Sequence, residues 1–546
     1  MDKADRVNMH DLEVTDPSKT PASSLNEDER LLAKLGYKPT LHRTFALIDN
    51  FSAAFAALYF VGGIRVTFFL GVEAGGPLAY WTSYLVTCVF TFITAAVLAE
   101  ICSALPAAGS IYFWAAECAG PSYGRLAGFI VAWWSTTAWT TFVASSSQGC
   151  ANYLLSEIAV FNLDFSTDVT DVKFRAVQWA VAEGLLALSM SVQYLPPRHY
   201  RWVFRAATSI VLLDFLLNII WFPIGVATTY GFRSAEYAFL ATDNYTGATA
   251  GWNWCLSFLA TAGILVGYDA SGHVAEETKN ASRNAARGLF WSAVCSATLG
   301  LPVVILFLFC APDVADIESF GGPQPFVSVY AAALGQGGHV FMNVISILGL
   351  LLNTSVASVA ASRLVFAVAR DGVLPWSNWI AKIDRNGNPR NAQTVIWIVA
   401  SLLLLTILPS SVAFTSLISA AGVPTFAAYA LITTCRFFIT PNKFRDGAWR
   451  LGVFSRPLNL LAIPFNWFCV AVLVSPYVFP VTGQSLNYAG IILGAITIFG
   501  FLSWWFVPES RWLEKKRLLA VQRAVAEESD GFSSNHSHDE AGHKHH

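Results

Sequence analysis

Charge is scarce in this chain of 546 residues: only 13% are Asp, Glu, Lys or Arg, against roughly 25% in an average soluble protein. The net charge of -2 gives nucleic acid no electrostatic handle. The nine Cys are odd in number and scattered singly, with no CxxC or Cys/His spacing, so neither a disulfide framework nor a zinc site is implied. A GxxxxGK[ST] loop is missing, which argues against ATP as the energy source. HExxH and GxSxG are missing too, so the reading is not an enzyme. The first 40 residues contain no short apolar h-region, and a cleaved signal peptide is not expected.

What the chain has instead is apolar length. Apolar residues make up 55% of it, with forty Phe and nineteen Trp. They fall in runs near the ~20 residues that cross a hydrocarbon core. Spans 1 to 6 are read near 45–71, 78–104, 124–155, 176–196, 203–230 and 252–275. Spans 7 to 12 are read near 288–311, 337–369, 393–409, 411–436, 459–481 and 487–507. The expectation is an all-α integral membrane protein of about 12 transmembrane helices. Span 3 is too long to cross upright and has to tilt or project.

Basic residues recur in alternate loops: Arg198, Arg201 and Arg205; Lys279, Arg283 and Arg287; Arg370, Lys382, Arg385 and Arg390; Lys443, Arg445, Arg450 and Arg456. The intervening loops carry Asp164, Asp168 and Asp171, then Asp313, Asp316 and Glu318. Positive loops stay inside, so both termini are expected in the cytoplasm, with the plasma membrane preferred to the vacuole. A polar N-terminal tail (1–43) and C-terminal tail (509–546) are expected to be disordered and to flank a transporter domain at 44–508. The closing His tract (His536 to His546) is read as part of that solvated tail.

Two spans carry glycine at mid-depth: Val61-Gly62-Gly63-Ile64 in span 1, and Ala262-Gly263 and Gly267-Tyr268-Asp269 in span 6. Broken helix is tolerated in a bilayer where it lines a cavity, and a pair of such breaks in corresponding positions points to a transporter site. The competing reading is that Gly only allows close helix packing. Amides freed at Gly62, Gly63 and Ile64 would suit a carboxylate. Ionisable groups at membrane depth are costly and normally face a cavity or a partner. Asp269, with His273 one turn on, is read as serving a substrate amine or a coupling proton, or else as a structural partner of Arg65. Arg65 either meets a carboxylate or closes an outer gate with an acid such as Glu73. Asp214 and Asn218 share a face of span 5; Asp214 and Glu183 are kept as coupling or gating candidates, with a structural hydrogen-bonded role favoured for both. His339 is placed near the outer surface without a role.

Three segments then carry a likeness: Ala99-Glu100-Ile101-Cys102-Ser103-Ala104-Leu105-Pro106 with Ala108-Gly109-Ser110-Ile111-Tyr112; Gly267-Tyr268-Asp269 with Ala275-Glu276-Glu277-Thr278-Lys279-Asn280; and Ser362-Arg363 with Ala369-Arg370-Asp371-Gly372-Val373-Leu374-Pro375. In order and spacing they resemble the amino acid–polyamine–organocation transporter superfamily, and within it the fungal amino acid/choline branch. The resemblance implies a LeuT-like fold, with spans 1–5 and 6–10 as inverted repeats (about 45–230 and 252–437) and two further helices. It implies substrate at the broken middles of spans 1 and 6, with spans 3 and 8 completing the cavity, and a proton as coupling ion. The family's first Gly on span 1 is Val61 here, and Arg65 replaces an apolar or small polar residue. An unpaired charge at Arg65 would favour an amino acid or GABA-like substrate over choline, polyamine or thiamine, which remain the alternative, as does an amino acid sensor that moves nothing.

Overall fold

The computed structural model describes residues 41–512 apart from 313–321, 410–412, 446, 484–485 and 510–511, together with residues 28, 30, 32, 35 and 37. A transmembrane body, Leu41–Trp512, is separate from a terminal unit of residues 1–40 and 513–546. Most of both expected disordered tails, the His tract, and Asp313, Asp316 and Glu318 lie outside the described residues. Among the described residues the regular structure is helical, and β-type pairing is limited to two isolated bridges, Phe45 with Thr278 and Ala74 with Asn244.

Each expected span has a helical counterpart. Among the described residues, eight helices are long and apolar enough, by length and composition alone, to cross a membrane. Span 6 is not among them because its break leaves only short pieces: Ala250–Leu256, Phe258–Ile264 and Ala270–His273. Span 3 runs as one helix from Gly120 to Val160, about 60 Å at 1.5 Å per residue, twice a hydrocarbon core. It is missing from the eight because its middle is polar: Ser135, Thr136, Thr140, Thr141, Ser145, Ser146, Ser147 and Gln148 are all buried there, turned inward rather than to lipid.

Span 1 is broken, but not at its glycines. Leu47–Leu58 and Phe60–Glu73 meet at Tyr59, whose φ of 34° and ψ of 58° are left-handed. Gly62 and Gly63 lie inside the second piece, and the Gly63 amide, expected to face a carboxylate, donates to Tyr59 O at 3.0 Å. Gly62 has a different task. A Cβ added there would fall on the Tyr59 ring, and one added at Gly349 of span 8 would fall on its hydroxyl. The two glycines therefore clear a slot for a tyrosine folded back over its own helix. Left-handed geometry costs a non-glycine residue about 1–2 kcal/mol, and the bonds made by the Tyr59 hydroxyl hold it there. Gly62→Leu is expected to evict the ring, lower stability by about 1–3 kcal/mol and stop transport; a variant that melts and transports like wild type would refute the slot.

Span 5 has a five-residue π turn, Leu217–Trp221, ending two residues before Pro223. Proline lacks an N–H and crowds the preceding turn, so the helix widens there. Span 8 starts earlier than read: the helix begins at Pro325, and Gly335, at φ 71°, separates a leading piece from the expected crossing. Span 3 packs along span 8 and span 2 along span 7, which pairs corresponding members of the two halves.

Candidate functional site

Between the two breaks lies a cavity of about 140 Å³. Tyr59, Gly62 and Gly63 bound it from span 1, Trp139 and Phe142 from span 3, and Gly263, Ile264 and Gly267 from span 6; Asn353 of span 8 and Ser419 and Thr425 of span 10 add polar points. No Asp, Glu, Lys or Arg side chain lines it among the described residues. Asn353 also repairs the break in span 1: its amide donates to Ala56 O at 2.8 Å and Ala57 O at 2.7 Å, carbonyls that the interrupted helix leaves without partners. Gly267 sits at φ 110°, a conformation a side chain would resist, so the opening of span 6 is built on that glycine.

Of the residues read as binding, Gly62, Gly63, Gly263 and Gly267 line the cavity. Ile64, Ala262, Tyr268, Asp269 and Arg65 are buried outside its lining. Arg65 does not pair with Asp269 or Glu73. It forks onto Asp214 of span 5, with Nη1 to Oδ1 and Nη2 to Oδ2 both at 2.7 Å. Its remaining donors reach the hydroxyls of Tyr59 at 3.0 Å, Tyr153 at 3.1 Å and Tyr330 at 3.2 Å. Asp214 also accepts from the Tyr59 hydroxyl at 2.7 Å and from Asn218 Nδ2 at 2.9 Å, and the Tyr330 hydroxyl donates to Asn218 Oδ1 at 2.6 Å. A bidentate guanidinium–carboxylate pair with its spare donors filled is the arrangement that makes a buried charge tolerable. The hinge residue of span 1 is thus bonded to both ends of a neutral ion pair.

Asp269 belongs to a second network, behind the cavity wall. It accepts from Trp139 Nε1 at 3.1 Å and from the Tyr429 hydroxyl at 2.5 Å, and His273 Nε2 lies 3.0 Å away. His273 Nδ1 approaches Ala108 O at 3.4 Å, and Tyr268 stacks on Tyr429 with centroids 5.3 Å apart. Trp139 is the one member of this set that also reaches the cavity.

A family model described as amino acid permease matches residues 45–497. The chain belongs to this permease family. Over 516 residues it is 51% identical to the thiamine transporter thi9 of Schizosaccharomyces pombe, an alignment covering 90% of this chain and 87% of that one. It is 26% identical to the amino-acid permease BAT1 of Arabidopsis thaliana, across 88% and 94% of the two chains. Among solved structures, a manganese transporter from Eremococcus coleocola shares the fold, with a TM-score of 0.51 at 12% identity over 87% of this chain and 95% of that one. The permease is therefore a multi-pass membrane transporter and not an enzyme.

The segments that carried the family likeness meet at one end of the permease. Glu276 accepts from Arg370 Nη2 at 2.9 Å and from the Ala108 amide at 3.0 Å. Glu277 accepts from Arg363 Nε at 2.7 Å, and Glu100 is held by Arg436 at 3.3 Å and the Leu451 amide at 3.0 Å. Beside them the strand-like entry to span 1 pairs with the exit of span 6: Phe45 N donates to Glu277 O at 3.0 Å and Lys279 N to Phe45 O at 2.9 Å. None of these residues lines the cavity. Burial pushes the Glu276 carboxyl up, but Arg370 and the Ala108 amide outweigh it and leave it below its usual range. The stability this adds is present at neutral pH and is lost as pH falls through that lowered value.

Two further positions have partners of their own and do not line the cavity. His339 is fully buried and bonded to Glu157 at 2.9 Å, because span 8 turns it onto span 3. Glu183 accepts from Ser401 of span 9 at 2.9 Å, a structural hydrogen bond of the kind favoured for it, and is not among the cavity's lining residues. Sequence reasoning missed Tyr59, Trp139, Tyr429 and Asn353. Only Trp139 had a signal, as an aromatic among the Ser and Thr residues of span 3.

Proposed function

We propose that this permease carries a small organic cation bearing an aromatic ring, of the thiamine class, by alternating access with a proton as coupling ion. The observation that carries this reading is the cancelled charge at Arg65. An unpaired guanidinium would favour a carboxylate and repel a cation, but Asp214 neutralises it at 2.7 Å through two bonds. What faces the substrate is an uncharged wall with Trp139, Phe142 and Tyr59 in it, and such rings accept cations on their faces. The 51% identity to a thiamine transporter supports the same choice. In this scheme the acids and arginines paired at one end are the inner gate, both termini are cytoplasmic, and the protein sits in the plasma membrane.

Ligand-induced thermal stabilisation of the purified permease tests the substrate class. Thiamine at about 100 times its Kd is expected to stabilise by about 2.7 kcal/mol, with GABA, glutamate and spermidine giving no shift. Stabilisation by the carboxylate-bearing amines alone would overturn the cation reading in favour of an amino acid.

A further inference from the structure

We infer that Trp139 is the residue that holds the positive charge of the substrate, and that Asp269 is a positioning residue acting through it. The inference rests on the organic-cation reading above and assigns that reading its contact.

The argument starts from where the negative charge is. A cation entering this cavity meets no carboxylate. Asp269, at the break of span 6, is fully buried behind the wall and bonded by Trp139, Tyr429 and His273. Of these three bonded groups only Trp139 lines the cavity, so it is the one through which Asp269 has a bonded route to the substrate.

The indole is held on several sides. Nε1 donates to Asp269 Oδ2 at 3.1 Å. A Cβ added at Gly267 would touch Cη2 at 3.8 Å, so the benzo end lies over the glycine of the span 6 break. Phe142 and His273 meet the ring edge to face, at centroid distances of 6.0 and 5.4 Å. Such a ring has little freedom left to lose on binding.

Indole is the best cation acceptor among the aromatic side chains because its π face is the most negative. An N–H that donates to a carboxylate is polarised further, and electron density moves from the N–H bond into the ring. Asp269 therefore enriches the face that Trp139 offers, in a site of low dielectric where the gain is not screened. The carboxylate attracts the cation without touching it. A direct ion pair would bind more tightly but release slowly, whereas a transporter has to let go.

The test replaces Trp139 with mono-, di- and trifluorotryptophan by nonsense suppression in the full-length permease. Fluorine drains the π face without changing the shape of the ring. Uptake is measured in proteoliposomes for thiamine and for its uncharged isostere, in which a thiophene-like ring replaces the thiazolium. The quantity read is the ratio of the two KM values. Wild type is expected to prefer the cation, and the preference should shrink stepwise with each fluorine. Trp139→Leu should remove about 2- to 30-fold of cation affinity while leaving the isostere nearly unchanged. Asp269→Asn should lower the same ratio and lower it no further in a Trp139→Leu background, because groups that act as one unit are not additive. A ratio unmoved by fluorination, or an Asp269→Asn loss that simply adds to that of Trp139→Leu, would overturn the inference. A wild-type ratio near one would overturn the organic-cation reading itself.

Discussion

Arg65→Ala is expected to lower the stability of the permease by about 3–5 kcal/mol, the usual cost of leaving one member of a buried ion pair alone. Asp214 would be left at 0% exposure without its cationic partner, with only the Tyr59 hydroxyl and Asn218 as remaining donors. The slot that holds Tyr59 would loosen with it, since that hydroxyl bonds both partners. Transport should therefore fall for every substrate alike. Asp214→Asn should behave similarly, and Arg65→Leu combined with Asp214→Leu should be less damaging than either loss alone, because no orphaned charge remains. Melting in detergent and uptake of a mixed substrate panel check both halves. A stable Arg65→Ala variant that loses only carboxylate-bearing substrates would mean that the guanidinium binds substrate after all.

Arg363→Ala is expected to be of similar size, about 3–5 kcal/mol. Its Nε meets Glu277 at 2.7 Å, its Nη1 meets Ser362 Oγ at 2.9 Å, and its guanidinium stacks over Tyr200 at 4.9 Å. All of these are satisfied by a flat fork, so Arg363→Lys should recover only part of the loss. Glu277→Gln leaves the backbone pairing through the Glu277 carbonyl in place but removes the charge that Arg363 meets, and should weaken the inner gate proposed at this end. Exchange of substrate across the membrane would then persist while accumulation against a gradient falls. An Arg363→Ala protein within about 1 kcal/mol of wild type would show that the pair does not hold this end shut.

The fold was legible because its signals are local. A run of apolar residues reports its own length, and Gly267 reports a backbone that no other residue adopts comfortably. The span 1 break was misplaced for the same reason. The Gly62-Gly63 pair signals freedom, but the freedom was used to seat the Tyr59 ring, which depends on Gly349 nearly 300 residues away. Arg65 was identifiable as costly from its depth alone. Its partner was not, because Asp214 stands 149 residues on and nothing in either segment names the other. Glu100, Glu276, Glu277, Arg363 and Arg370 were visible as family segments, but their convergence into one set of ion pairs needed three dimensions. Asp269 was read from its place at the span 6 break as serving the cavity, and the structure sets it behind the wall; the residue between, Trp139, lies on another helix.

The most direct test of the central claim is flux. Purified permease in proteoliposomes, preloaded with unlabelled thiamine and placed in radiolabelled thiamine at low concentration, should accumulate label by counterflow. An inward proton gradient should raise net uptake, and GABA or glutamate in excess should not compete. Accumulation driven only by an amino acid, with thiamine neither carried nor competing, would contradict the account, and thiamine binding without any flux would place the protein among sensors rather than carriers.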